Sequence, residues 1–101
     1  MKKSHYAVIF TSIKNIEDRG YAKMAKTMET LASQQPGFLG LESAREIIGI
    51  TVSYWESLDA IANWKRNTDH LVAQTIGKEK WYKTYSVRIC KVEREYHFSQ
   101  E

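Results

Sequence analysis

The run His5 to Ser12, HYAVIFTS, carries apolar side chains on both parities: Tyr6, Val8 and Phe10 on one, Ala7 and Ile9 on the other. Successive side chains of a strand point to opposite faces of a sheet, so this segment is shielded from water only if a layer lies on each side of it. Ile48 to Trp55 repeats the pattern, with Ile48, Ile50, Val52 and Tyr54 opposed to a face that ends in Trp55. A chain of 101 residues holds one domain, which excludes a TIM barrel or a full dinucleotide-binding enzyme. Its own helices can cover one face of a sheet, and the other face needs a second subunit.

The remaining elements follow from spacing. After His5 to Ser12 comes a polar segment, Lys14 to Gly20, read as a loop. Tyr21, Met24, Ala25, Met28, Leu31 and Ala32 then recur as one helical face. This helix ends at Gln35, because Pro36 cannot continue it and Gly37 accommodates a tight turn. Phe38 to Arg45 and Ile48 to Trp55 read as an antiparallel hairpin joined by Glu46 and Ile47, with Gly49 easing the turn or marking a bulge. Ser57 is placed as an N-cap and Asp59 as first-turn negative charge for a second helix, Leu58 to Thr75. Thr84 to Phe98 closes the chain as a long strand. The order β-α-β-β-α-β predicts a ferredoxin-like α+β fold, a four-stranded antiparallel sheet with two helices on one face.

Composition narrows the function classes. The formal charge of +3 comes from scattered basic residues rather than a run, which points away from nucleic acid. The single cysteine, Cys90, cannot form an internal disulfide and has no partner at metal-ligand spacing, so the expectation is no metal site and a reducing cytoplasm. Set in a strand between Ile89 and Lys91, it reads as a buried small hydrophobe. His5 and His97 lie near the chain ends, without ligand spacing. No secretory leader pattern is visible, and the apolar runs fall far short of the roughly 20 residues that span a bilayer.

Four segments together resemble the antibiotic biosynthesis monooxygenase family of small dimeric α+β barrels: YAVIF, QQPGFLGLESAR, ITVSYWESLDAIANWK and WYKTYSVRICKVEREYHF. The likeness spans Tyr6 to about Phe98, so residues 1–101 form a single domain of this type. It implies a homodimer of ferredoxin-like subunits, each with a pocket between helices and sheet. The family includes cofactor-free oxygenases of phenols, quinol oxygenases and haem-degrading enzymes. In the haem-degrading branch a helix-two tryptophan is followed ten positions later by histidine, with an asparagine on strand one. Trp64 is present here, but the tenth position is Gln74 and the strand has no asparagine, which argues against haem degradation.

Triplet oxygen does not react with a singlet organic molecule in one concerted step, so an enzyme without metal or flavin needs an electron-rich phenolate or enolate as donor. Such a site needs an apolar pocket, donors for an oxyanion and a base. Trp64 shares a stripe with Ile61, Thr68, Leu71 and Thr75, and is either a stacking surface or an ordinary core tryptophan. Arg88, between Val87 and Ile89, is a candidate cation for the phenolate, or else an outward strand residue like Arg94. Tyr54, Tyr82 and Tyr85 are candidate hydroxyl donors at the pocket rim. His70 has the right ordinary pKa for acid-base work but falls on a polar stripe with Asn63, Asn67 and Gln74.

The expectation is therefore a cofactor-independent monooxygenase acting on a small hydroxylated aromatic or quinol. A dimer that only binds a small hydrophobic ligand, and then a haem-binding protein, are the alternatives. A sheet apolar on both faces exposes surface worth roughly 25 cal/mol per Å² of apolar area unless it is covered. Light scattering on a sizing column should read twice the 11.8 kDa subunit mass at micromolar concentration; a single-subunit mass would contradict the second layer.

Overall fold

The computed structural model describes residues 5–15, 20–74 and 81–100, and of 70–74 the helical backbone alone. The elements are β1 (His5–Lys14), α1 (Tyr21–Ser33), β2 (Phe38–Arg45), β3 (Ile48–Trp55), α2 (Leu58–Gln74) and β4 (Tyr82–Val92). They form one antiparallel sheet in the order β2-β3-β1-β4. The ferredoxin-like expectation holds, and the limits of β2 and β3 agree with it.

Register decides what each side chain can reach. Tyr6 pairs with Trp55, Val8 with Ser53 and Ile89, and Phe10 with Thr51 and Val87, so these residues share one face. That face meets α2: Trp55, fully buried, packs with Ala60 and Ile61, and Tyr6, Val8, Phe38 and Trp64 close around them. The indole N–H of Trp55 is satisfied within the sheet, donating to Ser53 Oγ at 2.9 Å. The opposite parity, Ala7, Ile9, Val52, Tyr54, Ile48 and Ile50, forms the far face. There Ile48 and Ile50 are 53% and 46% exposed.

α2 begins where Ser57 Oγ accepts the Ala60 N–H at 3.0 Å, and Asp59 lies in the first turn. Its entry is fastened to the turn before β2, since Glu56 N–H donates to Gly37 O at 2.8 Å. Gly37 has φ +84°, and a Cβ built on it would stand 2.7 Å from Ala60 Cβ, so the turn and the helix touch backbone to side chain.

Details depart from the sequence expectation: β1 runs on to Lys14, the expected start of a loop, and β4 begins at Tyr82 rather than at Thr84. α1 stops at Ser33 rather than Gln35, because Gln34 and Gln35 N–H groups bond Leu31 O and Ala32 O in a tightened last turn. The hairpin joins β2 to β3 through Glu46 and Ile47 as expected, with Arg45 paired to Gly49, and the bulge lies at Phe38/Gly40 instead of at Gly49. β4 ends at Val92, where its last partner is His5. Residues 93–100 continue without strand structure and leave Tyr96 and Phe98 exposed. Cys90 is exposed on the far face, opposite Ala7, because neither helix reaches that side.

Gly37→Ala should combine an unfavourable backbone region with a clash against Ala60, lowering unfolding free energy by about 2 kcal/mol or more. Chemical denaturation checks this, and Gly37→Ala combined with Ala60→Gly should recover the steric part alone.

Candidate active site

Four aromatic rings gather on the helix-side face at the end of the sheet away from Trp55. Phe10 of β1 stacks on Tyr85 at 5.5 Å and meets the edge of Tyr82 at 5.3 Å. Tyr21, the first residue of α1, stands edge-on to Tyr82 at 5.8 Å, and Tyr82 is tilted against Tyr85 at 5.9 Å. Beside them the β4 side chains on this face are only partly covered: Tyr85, Val87 and Ile89 are 40%, 50% and 51% exposed. The face thus offers aromatic rings joined to an open apolar strip, a surface suited to a flat ring system.

A cation stands at the end of this cluster. The register aligns Arg45, Gly49, Ser12 and Tyr85 in one row across all four strands. Arg45 crosses the row over Gly49, where a Cβ would fall on its guanidinium, and donates to Ser12 Oγ, with a longer 3.5 Å contact to Ser12 O. It also lies over the Tyr21 ring, 5.4 Å from the centroid, and Lys14 lies 4.9 Å from the same centroid. Burial, and then the neighbouring Tyr21 phenol, push the Tyr82 pKa well above the ordinary tyrosine value, against an opposing pull from Arg45. Tyr82 is therefore a hydroxyl that keeps its proton.

The predicted site residues divide between the two faces. Trp64 stacks on Trp55 at 6.0 Å and closes the core on the helix side. Tyr82 and Tyr85 share that side. Arg88 pairs with Ile9 and Tyr54 with Ala7, which puts both on the far face, away from Trp64. A single pocket holding Trp64, Arg88 and Tyr54 is thus incompatible with the sheet's alternation within one subunit. Tyr54 instead donates to Glu42 Oε1 at 3.0 Å, and this bond, followed by loss of water, raises its pKa. The His5 ring is 6.4 Å from that of Tyr54, and His5 Nε2 lies 3.7 Å from Glu95 Oε2. The His70 side chain lies outside the described residues.

Arg45, Ser12, Tyr21 and Phe10 were not singled out from sequence. Their signal is distributed over three strands and a helix start, and Arg45 and Gly49 come into line only once the hairpin register is known. Among the described residues no group of three or more His, Cys, Asp or Glu side chains could hold a metal ion, and no helix is long and apolar enough to cross a membrane.

No family model matches the sequence. The chain is 50% identical over 98 residues to the uncharacterised protein YqjZ of Bacillus subtilis, an alignment covering 95% of this chain and 86% of that one. Among solved structures it superposes on SnoaB, a cofactor-independent oxygenase from Streptomyces nogalater, with a TM-score of 0.69 at 11% identity, over 96% of this chain and 99% of that chain. A variant of MhuD with two manganese protoporphyrin IX bound per active site gives a TM-score of 0.69 at 17% identity, over 92% and 99%.

A tyrosine whose folded pKa is raised contributes fully below about pH 10, where the phenol is protonated folded and unfolded alike. Above that pH the unfolded chain loses its proton first, so stability falls as pH rises. Tyr82→Phe should flatten this alkaline decline and remove the latest component of the tyrosinate absorbance titration. An unchanged alkaline slope would count against a shielded Tyr82.

Proposed function

As this chain belongs to the family of Bacillus subtilis YqjZ and has the ferredoxin-like fold of the antibiotic biosynthesis monooxygenase proteins, we propose that it is a cofactor-independent monooxygenase of small hydroxylated aromatics or quinols. The observation carrying this reading is the ring cluster Phe10, Tyr21, Tyr82 and Tyr85, continuous with the half-exposed strip Val87 and Ile89. An aromatic substrate lies along the strip and stacks against Tyr85, with the Tyr82 hydroxyl at its rim and the Trp64–Trp55 core beyond its other end. The fold it shares with SnoaB supports the same reading.

The substrate supplies the electrons. A phenolate gives one electron to oxygen, and the superoxide and ring radical combine to form a carbon–oxygen bond para to the phenolic oxygen. Loss of water from the hydroperoxide breaks the O–O bond and leaves a quinone. The phenol has then lost two hydrogens and gained one oxygen atom, and the second oxygen departs as water. What the protein adds is orientation and stabilisation of the oxyanion.

In this reading the protein works as a homodimer. The exposed Ile48 and Ile50, with Ile9, Val52 and Cys90, form the contact through the far face, and Arg88 and Tyr54 belong to that contact rather than to the ring-lined strip. Burial of these apolar side chains drives the association.

The test is oxygen uptake. Chelator-treated protein is mixed anaerobically with hydroquinones and anthrols, and air is then admitted. Uptake above the uncatalysed rate is expected for at least one compound, with kcat/KM reduced about tenfold or more in Tyr85→Ala, equivalent to ~1.4 kcal/mol of transition-state stabilisation. No enzymic uptake with any compound, together with a stoichiometric Soret shift on adding hemin, would replace the oxygenase with a haem-binding function.

A further inference from the structure

We infer that Arg45 selects the ligand of this ring-lined strip by binding an anionic oxygen on an aromatic ring, so that a phenol is taken up as its phenolate. The inference rests on the helix-side ring cluster and strip being the ligand site, and it assigns the oxyanion partner to a residue on β2 rather than to Arg88.

Three observations carry it. First, Arg45 is half-buried and no Asp or Glu among the described residues forms an ion pair with it. A guanidinium presents five N–H donors, and Ser12 takes only two of the contacts. Withdrawing such a group from water without a counter-charge is costly, and the face of Tyr21 offsets only part of that cost. Second, its position is built rather than incidental. Arg45 reaches the row's centre because Gly49 has no side chain, and it is steered there by the buried hydroxyl of Ser12, which is 1% exposed. Third, its neighbours are complementary to an aromatic anion. Ser12 and Tyr85 occupy the same row, Tyr82 lies close enough to feel the guanidinium charge, and Phe10 backs Tyr85. A ring resting on Tyr85 thus points its acidic oxygen along the row toward a planar, permanently charged donor.

The experiment uses 4-nitrophenol, whose colour reports its ionisation, and its methyl ether 4-nitroanisole, which cannot ionise. Dissociation constants for the phenolate, the neutral phenol and the ether are measured on the whole protein. Wild type should bind the phenolate about tenfold or more tightly than the ether, so that the bound phenol ionises at lower pH than the free one. Arg45→Gln should abolish this preference and leave the ether within about twofold, and Arg45→Lys should retain part of it. Gly49→Ala keeps the charge but displaces the guanidinium, so it should lose the preference as Arg45→Gln does; this separates a positioned donor from a general positive field, and it carries the test if Arg45→Gln does not fold. Equal affinity for phenolate and ether, binding of neither, or a preference that survives Arg45→Gln or Gly49→Ala overturns the assignment. Phenolate preference without oxygen uptake would retain Arg45 and remove the oxygenase, whereas oxygen uptake without that preference would do the reverse.

Discussion

Trp55 is the contact on which the arrangement depends. It is fully buried, pairs with Tyr6 across β1, meets Phe38 edge-on at 5.4 Å and receives Trp64 from α2 as a stacked ring. Burying an indole of this size commits one parity of β1 and β3 to the helix side, and the period of two then dictates the face of every other residue in both strands. The placement of Phe10 and Ser12 on the helix side, and of Ala7, Ile9 and Tyr54 on the far face, follows from that one anchor.

Much of this was legible in the sequence because it depends on short-range patterns. The limits of β2 and β3, the Ser57 cap and the apolar far face are set by residues a few positions apart. The order of elements then restricts the chain to few topologies. The site was less legible because it depends on register. The strand limits do not by themselves say which residue faces Arg45; the register pairs it with Gly49, and a shift of one residue would put it opposite a side chain of the other face. Arg88 looked suitable as a strand cation beside apolar neighbours, but nothing local to VRIC states which face it takes. The end of β4 was missed for a related reason: Tyr96 and Phe98 favour extended structure, yet the ladder against β1 runs out at Val92.

The two faces of the sheet differ in what covers them. The far face carries the exposed Ile48 and Ile50 and the polar links of Tyr54 to Glu42 and His5 to Glu95. The helix side keeps one end for a packed core around Trp55 and the other for a cluster of rings with an arginine at its edge. Core and ring cluster share strands, so rigidity at one end fixes geometry at the other.

Gly49 shows how a missing atom can carry specificity. It binds nothing itself, and in a catalogue of polar groups it would pass as scaffold, yet its bare backbone is the channel through which the guanidinium crosses from one strand to the next but one. The two positions are physically tied: a methyl at the glycine would take the path of the guanidinium, whether or not the arginine itself is retained.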